Sequence, residues 1–106
     1  MIGDVLKQTR KIYGYKASEM SSMLNISPSY LSEIENNKKS PSLSLLQKYA
    51  DIYGIKLSSL ILLSENMEEA KKRGRASEFI RNMMLSLIAN MSDLAGDPDE
   101  SSNKEV

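Results

Sequence analysis

Ser27, Ser29, Tyr30 and Ser32 supply four hydroxyls within six residues, and Glu33 and Asn36 add a carboxylate and an amide to the same stretch. These groups exchange hydrogen bonds, but none has a base beside it that would make it a nucleophile. The chain contains neither histidine nor cysteine. That excludes the commonest general base, thiolate nucleophiles, disulfides and the commonest metal ligands. No paired carboxylates stand out, so no enzyme activity, metal or cofactor is expected. What remains is recognition. If Pro28 to Asn36 is helical, Leu31 and Ile34 turn inward and the polar groups face out. Such a helix has the width of the B-DNA major groove, and its first residues reach base edges. Short side chains let the backbone approach closely, and free N–H groups at helix starts can grip phosphate.

The elements needed to hold that helix out are legible on either side of it. Apolar residues at Ile2, Val5, Leu6 and Ile12 follow the helical period as far as Gly14. A short helix from Ala17 to Leu24 buries Met20, Met23 and Leu24, and Asn25 tolerates the left-handed conformation of a tight helix end. Ser27 is a good N-cap and Pro28 suits the first helical position. A polar turn from Asn36 to Pro41 follows. Ser42 then caps a fourth helix, carrying Leu43, Leu46, Tyr49, Ala50 and Tyr53 and ending at Gly54. A short fifth helix is predicted from Leu57 to Leu63.

Beyond Ser64 the pattern changes. Glu68–Lys72 and Glu69–Arg73 are well-oriented i,i+4 pairs on an exposed, helix-compatible stretch that Gly74 can break. From Ser77 to Ala95 a broad apolar stripe runs through Phe79, Ile80, Met83, Met84, Leu87, Ile88 and Met91. Residues 96–106 are polar, acidic and aperiodic, as expected of a disordered tail. The 106-residue chain has no net charge, yet residues 1–56 carry eight basic groups against five acidic and residues 57–106 six against nine. A mildly basic front and acidic back fit a binding domain with a second module. No stretch approaches the roughly 20 apolar residues that span a bilayer, and residues 1–20 lack a secretory pattern, so a cytoplasmic location without membrane contact is expected.

Met20-Ser21, Asn25-Ile26-Ser27, Tyr30 to Asn36, Lys38, Pro41-Ser42-Leu43, Leu46, Ala50, Tyr53-Gly54-Ile55 and Leu60 agree in one register with a known pattern. Over about residues 3–62 the chain resembles the Cro/CI/Xre-type helix-turn-helix family of phage repressors, restriction–modification controller proteins and antitoxins. The resemblance implies base contacts at Pro28, Ser29, Tyr30 and Glu33. It implies phosphate contacts at Lys16, Ala17, Ser27, Asn36, Lys38 and Lys39, and a structural salt bridge between Arg10 and Glu35. The family usually opens helix 2 with serine and then glutamine, the glutamine touching phosphate. Lys16-Ala17 stands there instead, so Lys16 supplies a charge in place of that contact. Pro28 cannot donate a hydrogen bond and would read bases by apolar contact.

The expected fold is all-α: a five-helix, lambda-repressor-like DNA-binding domain over residues 1–63, then a helical extension over 64–95 with an amphipathic helix for dimerisation. One such unit covers about half a site, and a dimer joins two half-sites roughly 34 Å apart. The stripe of Phe79, Ile80, Met83, Met84, Leu87, Ile88 and Met91 is the candidate dimer surface, with folding back onto its own core as the rival. On that reading, removing residues 77–106 leaves a folded monomer. The expected function is a transcriptional repressor or autoregulator binding a palindromic operator in double-stranded DNA as a homodimer. The alternative is an antitoxin that neutralises a toxin by protein–protein contact. RNA polymerase or a toxin are the further partners considered.

Overall fold

A computed structural model describes the backbone of residues 2–95 and the side chains of residues 2–89. The predicted tail over residues 96–106 and the Met91 side chain lie outside the described residues. Among the described residues six helices follow one another: α1 (Ile2–Ile12), α2 (Ala17–Leu24), α3 (Pro28–Glu35), α4 (Leu43–Tyr53), α5 (Leu57–Lys72) and α6 (Ala76–Ala95). No strand occurs among the described residues. No described helix is long and apolar enough to cross a membrane.

The first four helices begin and end where the local chemistry dictates. Ser27 and Ser42 each accept a hydrogen bond from the backbone N–H three residues on, at 3.1 Å in both cases. Asn25 takes the left-handed conformation, φ 58, and the N–H groups of Asn25 and Ile26 close the last carbonyls of α2. The start of α2 is capped differently. Lys16 has no side-chain acceptor, so the Glu19 carboxylate reaches back to the Lys16 N–H at 2.8 Å, which is half of a capping box.

Val5 and Leu6 of α1, Met20 and Leu24 of α2, Leu31 and Ile34 of α3, Leu45, Leu46, Tyr49, Ala50 and Tyr53 of α4 and Leu60 of α5 share one core. The Tyr53 hydroxyl donates to the Leu6 carbonyl at 3.1 Å, and the Tyr13 hydroxyl to the Tyr53 carbonyl at 2.6 Å. Burial pushes both phenols above their ordinary range, so they remain donors. Leu43, placed on the inward face by the sequence pattern, is exposed, and so is Met23. Each lies at the rim of its helix, where the 3.6-residue period rotates it off the shared core.

Where the sequence suggests a fifth helix ending near Leu63, α5 continues unbroken to Lys72. The residue boundary between 63 and 64 therefore falls inside a helix. Met67, in the stretch expected to be exposed, is buried in the same core. Gly74, at φ 69, turns the chain, and the Arg75 N–H closes back on the Ala70 carbonyl at 2.7 Å. Helix α6 then returns against α5 and α1.

One close approach fixes the start of the chain. The N–H of Gly3 donates to the Asn37 side chain at 3.0 Å, just past the end of α3. A Cβ on Gly3 would overlap the Ile34 carbonyl oxygen and the Asn37 amide. The first of these is backbone and cannot swing aside. Gly3→Ala is expected to destabilise the fold by about 1–3 kcal/mol, as overpacking does. A thermal melt within a degree of the parent would contradict that geometry.

Candidate nucleic-acid interface

Helices α2 and α3 are joined by Asn25, Ile26 and Ser27. The left-handed turn at Asn25 swings α3 across α2, so that Leu31 and Ile34 are buried while Pro28, Ser29 and Ser32 stay exposed. A helix held by one side and free on the other is the arrangement that the groove requires. The outer face is polar and short-chained over its first turn. Among the described residues, nothing there blocks a close approach of the backbone.

Tyr30, Glu33 and Lys39 form one group. The Tyr30 ring is half-buried and packs on the core, so the free protein does not present it as a loose probe. Lys39 Nζ lies 5.8 Å from the centre of that ring and 3.5 Å from the Glu33 carboxylate. Both contacts are solvent-accessible and worth little to stability. They matter for orientation, because Lys39 is drawn over the edge of α3. The N–H groups of Lys38 and Lys39 both reach the Glu33 carbonyl, at 2.8 and 3.2 Å, so the loop folds back on the end of α3. Lys38 is exposed. Asn36 caps α3 and its amide donates to the Ser32 hydroxyl at 3.2 Å.

Ser27 is occupied as the cap of α3, its side chain and carbonyl accepting from the Tyr30 and Leu31 N–H groups, and Pro28 has no N–H, so the N–H groups of Ser27 and Ser29 are what this helix start can offer an anion. Lys16 and Ala17 are exposed at the start of α2, where the Glu19 carboxylate already accepts from the Lys16 N–H. The structure thus gathers Pro28, Ser29, Tyr30, Glu33, Asn36, Lys38 and Lys39 around α3, and holds Lys16 and Ala17 at the next helix start.

Arg10 and Glu35 anchor the arrangement from behind. The guanidinium meets the Glu35 carboxylate through two bonds, at 2.8 and 3.0 Å, and its third nitrogen donates to the Tyr15 carbonyl at 2.9 Å. Glu35 is almost fully buried. The hydrogen bond to Glu35, ahead of an opposing desolvation, raises the Arg10 pKa above its ordinary value. One side chain therefore joins α1, the α1–α2 turn and the end of α3.

Sequence reasoning missed Asn37 and Asp4. Asn37 is left-handed at φ 61. Its side chain accepts from the Gly3 N–H and donates to Asp4 at 3.1 Å. Asp4 in turn pairs with Lys71 near the end of α5. The only local signal was an asparagine in a polar turn, a residue type enriched at positive φ.

The apolar stripe of α6 divides in two. Met83 and Leu87 are 4% and 6% exposed and belong to the core, with Phe79 and Ile80 packed beside them. Met84, Leu85 and Ile88 face outward, with Leu85 58% and Ile88 42% exposed, and Leu62 of α5 is exposed as well. Between α5 and α6 runs a groove of about 460 Å³, lined among others by Ile55, Leu62, Leu63, Met83 and Leu87.

Comparison with known proteins gives a consistent result. The family described as helix-turn-helix matches residues 6–60. The transcriptional regulator SinR of Bacillus licheniformis is 30% identical over 91 residues, covering 85% of this chain and 79% of that protein. The immunity repressor protein of Bacillus phage phi105 is 32% identical over 89 residues, covering 76% of this chain and 62% of that one. A crystal structure of SinR, described as the master regulator for biofilm formation and solved in complex with DNA, superposes with a TM-score of 0.53 at 37% identity. It covers 57% of this chain and 98% of the other.

Proposed function

Because the chain belongs to the helix-turn-helix family, we propose that it is a DNA-binding transcriptional regulator, non-enzymatic and cytoplasmic, that represses from a palindromic operator as a homodimer. The observation that carries this is the outer face of α3. It is exposed at Pro28, Ser29 and Ser32, it is bordered by Lys38 and Lys39, and it is braced from behind by the Arg10–Glu35 pair. The SinR relative, whose solved complex contains DNA, and the phage immunity repressor favour a regulator. They lend no support to the antitoxin alternative, or to a toxin or RNA polymerase as partner.

In this reading Pro28, Ser29, Tyr30 and Glu33 meet base edges. Lys16, Ala17, Ser27, Asn36, Lys38 and Lys39 line the phosphates. The second copy docks on the outward side of α6, where Met84, Leu85 and Ile88 are exposed. Two copies then present two α3 helices to successive major grooves.

Selection from random duplexes tests the reading directly. An inverted repeat should be enriched, and failure to retain any duplex at low salt would refute it. Within the selected site, Ser29→Ala and Glu33→Ala should shift base preference by about 1–3 kcal/mol at individual positions. Lys39→Ala should weaken all sequences alike and lower the salt slope by about 1 for each copy bound. Since Lys39 pairs with Glu33 in the free protein, Glu33→Ala also releases that lysine and should raise binding to unrelated duplexes. Unchanged base preference in both α3 variants would remove the base-contact assignment.

A further inference from the structure

Four of the six basic residues in the back half of the chain stand together: Lys71, Lys72, Arg73 and Arg75, around the turn between α5 and α6. All four are exposed. Lys71 and Lys72 close the last turn of α5, where the helix dipole favours cations. Arg75 lies past the helix and gains nothing from it. The segment is outside residues 6–60, the part matched by the family.

Its place in the fold is informative. Lys71 pairs with Asp4, and the same carboxylate accepts from Asn37, the residue immediately before Lys38 and Lys39. The basic turn is therefore fastened to the end of α3 that carries the lysine loop. The carboxylate between them is already satisfied. Burial works against its charge, but the bonds from Lys71 and Asn37 outweigh it and hold Asp4 below the ordinary carboxylate range. Arg73 is matched by Glu69 at 3.0 Å. Lys72 and Arg75 lie beyond these two pairs, with Glu78 lining the same cleft as Arg73 and Arg75.

We propose that the Lys71–Arg75 turn is a second phosphate-binding surface, meeting the duplex backbone beyond the stretch that α3 reads, on the side of the Lys38–Lys39 loop. The inference rests on the DNA-binding reading above. B-DNA carries about one charge per 1.7 Å of axis, so a basic turn adjoining the lysine loop finds further phosphates without any need for base contact. Flexible lysine and arginine side chains suit backbone charges whose position varies little with sequence.

The test uses the full chain with Lys72→Gln and Arg75→Gln together, leaving Lys71 and Arg73 in their pairs. The probes are the duplex selected by the parent protein and an unrelated duplex, each titrated over a salt series. The salt slope should become shallower by about 3.6, two phosphates in each of two copies at roughly 0.9 each. Affinity at low salt should fall at least about tenfold on both duplexes, with preferred sequence and oligomeric state unchanged. The charge-preserving variant Lys72→Arg with Arg75→Lys should behave as the parent. An unchanged slope overturns this inference and leaves the regulator intact. A changed base preference or a lost dimer also overturns it, by assigning the turn to readout or assembly. A parent that binds no duplex removes both readings.

Discussion

Replacing Arg10 with alanine lowers stability by about 3–5 kcal/mol, the cost of stranding one member of a buried ion pair. The buried member is Glu35, 5% exposed and held at 2.8 and 3.0 Å by the guanidinium. The Tyr15 carbonyl loses its donor in the same change. At roughly 4 °C or more per kcal/mol for a domain of this size, the melting temperature falls by at least about 12 °C. Adding Glu35→Gln to the alanine variant removes the stranded charge and should return part of the loss. Operator binding falls with it, because the end of α3 is tied to α1 through this pair. A single variant that melts within about 1 kcal/mol of the parent would show that the two bonds are no more than a surface contact.

The second large effect concerns α6. Ile88→Asp with Leu85→Asp places charges on the outward side of the helix, away from the core. The folded monomer should keep its stability within about 0.5 kcal/mol per site. If the proposed homodimer forms here, sedimentation should show it gone, and operator affinity should drop by about 100-fold or more as the two half-sites are bound singly. Leu87→Ala, one position away, is the counterpart. It opens a cavity in the core and should cost about 2–4 kcal/mol. If the double aspartate variant sediments as an intact dimer, the copies meet elsewhere.

The same division changes what truncation does. Deleting residues 77–106 strips Met83 and Leu87 from the core and uncovers the surfaces of α1 and α5 against which α6 packs. The shortened chain should be destabilised as well as monomeric, because the extension is not a separate body.

The front of the fold was legible because its signals are local. Ser27-Pro28, Ser42 and Asn25 each settle a helix end from their own backbone chemistry, and Leu31 and Ile34 face inward at one spacing. The back half was harder to read. Met67 is a lone apolar residue among charges, and its burial depends on surfaces distant in sequence. The stripe on α6 is too broad to say which residues face the core. That choice is made by α1 and α5, not by α6. The Gly3–Asn37 contact spans 34 residues and needs a left-handed asparagine, so no window of sequence contains it. In the candidate interface, residue types placed the recognition face, but the Lys39 contacts with Glu33 and Tyr30 required the loop's fold.

Seating Met83 and Leu87 with Leu24, Ile34 and Tyr49 in one cluster also has a consequence for how such a chain can diverge. A substitution at Met83 or Leu87 acts on the same interior that seats α3, whereas one at Leu85 or Ile88 does not. Exchange of α6 between relatives would have to bring matching partners on α1 and α5.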